Sequence, residues 1–339
     1  MAKLADALDL GSSSFECRFD SCHPHQLKNK FEFKAQTFFM VRVTIKDFLK
    51  NIQILVIFIA FLINIYLERK SMKNNGLQNE KDIIDVLDGK TYKELPEFWK
   101  RRMKQLYRDI EEDDKIECFK CVYNQKADIA IIVKDKKFNI SIKSGFFVSV
   151  HNERISSFAG FLRSLGIREE LITTLKLYHY GDDTIDGSGT VHYSVEEIKL
   201  KYKKEIDEFN KEVNKKEILR KIVMCFLCKG TPYQGGCASH LYSGTYIFGS
   251  LIDMKTMVDY ICEAYSHQAN AIYFGPFIYT PAYRGLENFD ETNVKRYYIS
   301  IKWPSLNRDM RDAKLWYFNE REERLKQIAL EEEKNKMQS

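Results

Sequence analysis

The chain has 339 residues, 44% of them hydrophobic and 30% charged, with a formal net charge of +5. That is enough apolar material for one large or two modest globular domains with a real core. Ten of the 53 Lys and Arg and seven of the 48 Asp and Glu precede Met72, which leaves the remainder at a net +2. Bulk charge is thereby excluded as a source of nucleic-acid affinity, which must come from a local patch.

Residues 1–71 read as different material from the rest. Residues 1–26 show neither helical nor strand periodicity, and no basic head precedes an apolar stretch as in a signal peptide. Back-translated, Arg18–Cys22 can contain GGTTCGATTCC, Ala5–Ala7 can be GCAGACGCA, and His23–Gln26 can end in CACCA; these resemble the T-arm, D-arm and acceptor end of a leucine tRNA gene. Ile52–Leu67 is apolar except for Gln53 and Asn64 and is flanked by Lys46, Lys50, Arg69 and Lys70. It falls slightly short of the roughly 20 residues of a membrane helix. AT-rich DNA also encodes Ile, Phe, Leu, Asn and Lys, and Glu68–Lys70 can be encoded by a purine run of the ribosome-binding type just before Met72. A start at Met72 explains both oddities. Taken at face value, residues 1–71 instead make a single-pass, membrane-anchored protein. The expected organisation is a non-native leader over 1–71 (including the apolar segment 52–67), a first domain over 72–215 and a β-rich C-terminal domain over 216–339. Six of the eight cysteines follow Met72. Without a credible export signal they are expected to be reduced thiols in the cytoplasm.

In chain order, Asn79–Leu87 predicts a helix with Ile83, Ile84 and Leu87 on one face and Gly89 as its stop. A second helix runs between Pro96 and Leu106. Ala127–Val133 and Phe138–Ile142 predict a hairpin joined by a polar turn over 135–137. Ile155–Leu165 predicts an amphipathic helix capped by Gly166, and Glu169–Leu177 another. Gly181–Thr190 is an acid- and glycine-rich loop, and Val195–Lys216 a long charged helix. Strands follow at Ile222–Leu227, Ala271–Tyr279 and Arg296–Ile301, with a helix at Met254–Tyr265 and a closing charged helix at Arg311–Lys336.

One stretch carries chemistry. In DIAIIVKDKKFNISIK, Asp128 opens the first hairpin strand and Lys143 closes the second, with Ser141 on the same face as Lys143. Glu80 lies on the preceding helix.

This order of helix carboxylate, hairpin Asp and terminal Lys resembles the PD-(D/E)XK nuclease superfamily, over Asn79 to Gly166. The resemblance implies an α/β fold: a restriction-endonuclease-like core of helix, mixed sheet with hairpin, and helices, followed by a β-rich α+β C-terminal part. Asp128 matches the aspartate and Lys143 the lysine. Ala127 replaces the common proline, and Ser141 replaces the second acid, a poor exchange for a Mg²⁺ ligand. Some members with serine there recruit a glutamate from the following helix, and Glu153 is the natural substitute. The implied activity is Mg²⁺-dependent cleavage of DNA phosphodiesters, of the restriction or defence type. Asp128, Glu153 and the Ile142 carbonyl would be metal ligands, because Mg²⁺ takes oxygen donors and keeps several waters. Lys143 would orient the attacking water and stabilise charge on the phosphate. Glu80 would hold a second ion or anchor Lys143. The implied partner is double-stranded DNA, a homodimer is compatible, and no small-molecule cofactor is expected. A tRNA gene upstream suits an integrated mobile element. The alternative reading is a non-catalytic nucleic-acid-binding protein that kept the fold and lost an acid at position 141.

Other signals are weaker. Cys118-x-x-Cys121 and Cys225-x-x-Cys228 have zinc-ligand spacing, but each sits in a strand-like run without a tight turn, so no zinc is expected. Asp182–Gly187 lacks the bidentate glutamate of a calcium loop and reads as a structural turn. His151 is kept as a phosphate contact. Arg284, Lys295, Arg296 and Lys302, interleaved with Tyr279, Tyr283, Tyr297, Tyr298 and Trp303, suit nucleic acid or, equally, an aromatic core with a basic rim.

Overall fold

The chain divides between Ser71 and Met72. In the computed structural model, residues 76–338 are described, except 123–124, 146, 231–236, 267–268, 270 and 282–293. The leader and its apolar segment 52–67, like Arg284, therefore lie outside the described residues. Among the described residues no helix is long and apolar enough to cross a membrane.

Helix α1 (Gly76–Leu87) buries Asn79, Ile83 and Leu87 at four-residue spacing and stops before Gly89, whose φ of +72° suits glycine. Helix α2 (Glu97–Leu106) follows Pro96 and buries Trp99, Met103 and Leu106. Three antiparallel strands come next: β1 (Ile116–Lys120), β2 (Ile129–Val133) and β3 (Lys136–Lys143). The β2–β3 hairpin was expected; β1 was not, because only its Ile116 and Cys118 are buried. Strand β4 (Val148–Arg154) leads directly into helix α3 (Ile155–Ser164), and α4 (Glu169–Tyr180) ends at the left-handed Gly181.

The expected long helix over 195–216 is two helices, α5 (Val195–Lys201) and α6 (Lys203–Val213), broken at Tyr202. The expected strand at 222–227 is helical. Helix α7 (Lys216–Met224) continues as a π-helical turn over Cys225–Lys229, burying Leu219, Ile222, Val223, Phe226 and Leu227. A short apolar run buried on all sides does not distinguish helix from strand by periodicity. The C-terminal part adds the hairpin β5 (His240–Gly244) and β6 (Gly249–Asp253), helix α8 (Met254–Glu263), the hairpin β7 (Tyr273–Phe274) and β8 (Phe277–Pro281), strand β9 (Tyr298–Trp303) and the long helix α9 (Leu306–Gln338).

The fold is mixed α/β, as expected. The first sheet has the order β1-β2-β3-β5-β6, with β3 and β5 parallel and the other pairs antiparallel. The second has the antiparallel order β4-β9-β8-β7. Both sheets join strands from either side of residue 215. One core, containing Ile129, Ile131, Ile140, Ile142 and Tyr242, lies between the first sheet and α1 and α2. The other joins Leu241 and Ile252 from the opposite face of that sheet to the second sheet and its helices.

Candidate active site

Strand alternation decides what meets at the end of β3. Ile140 and Ile142 point into the core under α1 and α2, so Ser141 and Lys143 project from the other face. Asp128, just before β2, is aimed at the same place. Its Oδ2 accepts hydrogen bonds from Ser141 Oγ at 3.1 Å, the Ile142 amide at 2.5 Å and Lys143 Nζ at 3.4 Å. All three end on one oxygen, and among the described residues Oδ1 receives none. Lys143 Nζ also donates to the Ile142 carbonyl at 3.0 Å. The lysine ammonium thus bridges the carboxylate and the carbonyl that the sequence assigns to a cation. Both side chains are largely buried, 23% exposed for Asp128 and 18% for Lys143, so this attraction is little screened.

Glu153 is on β4 and therefore in the second sheet, one residue before the cap of α3. It stands at the entrance of that helix. Its Oε1 accepts from His151 Nε2 at 2.7 Å. His151 is 5% exposed and stacks on Phe226 with ring centroids 5.2 Å apart. A phosphate cannot reach it there. On its other side His151 Nδ1 accepts from Lys126 Nζ at 2.9 Å. This pattern fixes a neutral imidazole with the proton on Nε2, and burial holds the ring below the ordinary histidine pKa.

Lys126 was not singled out in the sequence. It also donates to the Val150 carbonyl at 2.8 Å. The register of β4 against β9 skips between Ser149 and His151, so Val150 is the bulged residue and its carbonyl is turned out of the ladder. Burial, with a smaller push from Lys143, lowers the Lys126 ammonium to about pKa 8 against the opposing influence of Cys225, Glu153 and Asp128. Lys126 is thus within electrostatic reach of both halves, the Asp128–Lys143 pair and the His151–Glu153 pair.

Glu80 does not join this group. It pairs with Lys120 Nζ at 3.0 Å on the α1 side of the sheet, the face opposite Lys143. Its neighbour Asn79 instead ties α1 to β5 through the Gly244 carbonyl at 2.9 Å. Lys302 lies on β9, paired in register with Ser149, and Lys295 and Arg296 lie on the turn before β9. Arg296 packs on Tyr297 and donates to the Gly187 carbonyl, which ties it to the acid-rich loop. In that loop Asp182 is buried and accepts from Thr184 N, Thr184 Oγ1 and Gly189 N, the bonding of a turn. The first cysteine pair is split: Cys118 belongs to the core under α1, whereas Cys121 packs against the other core, the one that contains Cys225 and Cys228.

The donor set at Asp128 fits a hard cation in part. Among the described residues Asp128 Oδ1 receives no hydrogen bond, the Asp128 carboxylate and the Ile142 carbonyl both accept from Lys143 Nζ, and Mg²⁺ needs only one or two carboxylates. No group of three or more His, Cys, Asp and Glu is arranged to hold a metal among the described residues.

No protein-family model matches the chain, and no curated protein matches it. Among solved structures, it is similar to the restriction endonuclease MspI in complex with its cognate DNA, with a TM-score of 0.41 and 11% identity, over 66% of this chain and 87% of that one.

Proposed function

We propose that this chain is an endonuclease that hydrolyses DNA phosphodiesters with Mg²⁺ at the end of β3. The observation that carries the reading is the convergence of Ser141, the Ile142 amide and Lys143 on a single oxygen of Asp128. Asp128 Oδ1 and the Ile142 carbonyl are the oxygens that would hold the ion, with Glu153 as the second carboxylate once its bond to His151 is shared. A bound Mg²⁺ supplies charge to polarise the phosphate and acidify a water. Ser141 and the Ile142 amide fix the Asp128 carboxylate in one rotamer, so that Oδ1 is presented without a conformational cost. Lys143 leaves its two oxygens when a phosphate arrives and places its ammonium on the developing charge. Lys126, held on the bulged Val150 carbonyl, adds to the positive potential of the site.

Incubating the purified chain with supercoiled plasmid in Mg²⁺ and in EDTA tests this directly. Nicked or linear product in Mg²⁺, absent in EDTA and absent with Lys143→Ala, is the expected result.

A second reading, a nucleic-acid-binding protein without cleavage, is favoured by one feature. Ser141 donates to Asp128 instead of offering a second acid, and Glu153 is already bonded to His151. Under this reading the plasmid is retarded on a gel but stays intact.

A further inference from the structure

On the premise that the chain acts on duplex DNA, we propose that the tip of the β5–β6 hairpin, Tyr246-Ile247-Phe248, is a wedge that stacks against a base step, with Arg101, Arg102 and Lys314 gripping the flanking phosphates. Tight turns are normally built of polar and glycine residues. Here the turn between Thr245 and Phe248 presents three large apolar side chains that are 41%, 58% and 59% exposed. A cluster of this kind on a protein surface marks a contact site.

The tip is rigid. Thr245 N donates to the Phe248 carbonyl at 2.8 Å, and Tyr242 Oη donates to the Thr245 carbonyl at 2.5 Å. Trp99 Nε1 donates to the Tyr246 carbonyl at 2.8 Å, and Arg102 Nη2 to the Gly249 carbonyl at 2.7 Å. Gly244 has a φ of +148°, and a Cβ there would meet the Phe248 carbonyl oxygen at 2.3 Å. Glycine is therefore required for the hairpin to close. A preorganised tip loses little conformational entropy on insertion.

Its position fits the premise. Strands β3 and β5 are parallel, and Lys143 is in register with Ser243. The tip therefore projects from the same end of the sheet as Asp128 and Lys143, with Tyr246 three residues beyond that register. At about 3.3 Å per residue this is roughly 10 Å, or about three base steps of 3.4 Å.

Charge supplies the third support. Arg101 and Arg102 are on α2; Lys314 on α9 donates to Ser250 Oγ on β6 at 2.6 Å. None of the three forms a salt bridge among the described residues. Burial holds both Arg102 and Lys314 below their ordinary pKa values; Arg101 lowers Arg102 further, and Arg102 does the same to Lys314. Unneutralised cations around an apolar point suit an apolar wedge between bases with phosphates on either side, and they disfavour an apolar protein partner.

The test uses the full chain carrying Lys143→Ala, to keep the DNA whole, and a duplex of about 30 base pairs with 2-aminopurine at its centre. Insertion unstacks the reporter, so its fluorescence should rise on binding. The exposed double substitution Ile247→Ser, Phe248→Ser should abolish the rise and weaken binding about tenfold. Arg101→Ala and Lys314→Ala should each reduce the slope of log affinity against log salt by about one. Binding and fluorescence unchanged by the tip substitution would overturn the wedge, even if the unmutated chain cleaves DNA. A tip-dependent rise in a chain that never cleaves would uphold the wedge and remove the nuclease reading instead.

Discussion

Ser141 Oγ sits 3.1 Å from Asp128 Oδ2 and donates to it. A second acid at position 141 would repel that carboxylate and need a cation to hold the pair together; the serine holds it without one. The difference makes the site stable as it stands and shifts any demand for a second carboxylate onto Glu153.

Ser141→Glu should therefore invert the site's response to metal. Two carboxylates at hydrogen-bond distance disfavour joint ionisation, so the variant's Tm in EDTA should fall below that of the unmutated chain. Added Mg²⁺ should recover several degrees, about 1–2 kcal/mol of linkage at saturating ion. In the Glu153→Ala background the same substitution should restore some cleavage. Differential scanning fluorimetry with and without Mg²⁺ checks the first part, and an unchanged Tm difference contradicts it.

The buried chain from Lys126 through His151 to Glu153 is a structural unit as well as a part of the site. Glu153→Ala leaves the neutral His151 and the cationic Lys126 without their terminal charge, and should cost about 3 kcal/mol or more. Glu153→Gln keeps an acceptor for Nε2–H and should cost less than half of that. Equal urea midpoints for the two variants would show that the chain contributes no stability.

Lys126 also sets a pH dependence. Its folded pKa, about 8, lies below the ordinary 10.5, so between those values the unfolded chain holds more protons than the folded one. Stability then rises with pH across that window, and below about pH 8 the penalty for the buried charge is fully present. Lys126→Met removes the term. The stability of the unmutated chain relative to this variant should rise as the pH goes from 8 to 10, with the lost hydrogen bonds a constant offset. A difference independent of pH contradicts the assignment.

Cys118 and Cys225 lie in separate cores, each buried. Purified protein should carry no stoichiometric zinc, and Cys118→Ser should fold with a cost of about 1–2 kcal/mol for the buried hydroxyl. Zinc at one equivalent by elemental analysis, lost in that variant, would contradict this.

The parts legible in the sequence are those with local signals. Gly89, Gly166 and Gly181 take the left-handed conformation, with φ of +72°, +84° and +67°, at the ends of α1, α3 and α4. The hairpin carrying Asp128 and Lys143 was readable from alternation and its turn. What escaped depends on distance along the chain. Strand β5 is short and opens with His240, and it is a strand through its parallel pairing with β3, 100 residues away in the chain, together with its antiparallel pairing with β6. Strand β4 was hidden because beyond the bulge at Val150 its buried face is taken by the polar residues His151 and Glu153. Had it been recognised, His151 and Glu153 would have fallen on one face, two residues apart. Lys126 gave no local signal, since its partner carbonyl exists only because of that bulge. Glu80 was misassigned because helical periodicity says which residues share a face, not which side of the sheet the helix covers.

The most direct test of the central claim is plasmid cleavage by the unmutated chain and by Lys143→Ala, at matched concentration in Mg²⁺. The account predicts product from the first and a loss of at least about 100-fold in rate for the second, with the second still unfolding cooperatively in urea, at a lower midpoint because Asp128 loses its largely buried partner. Equal rates for the two proteins, or no Mg²⁺-dependent product from either while both bind the plasmid, would contradict it.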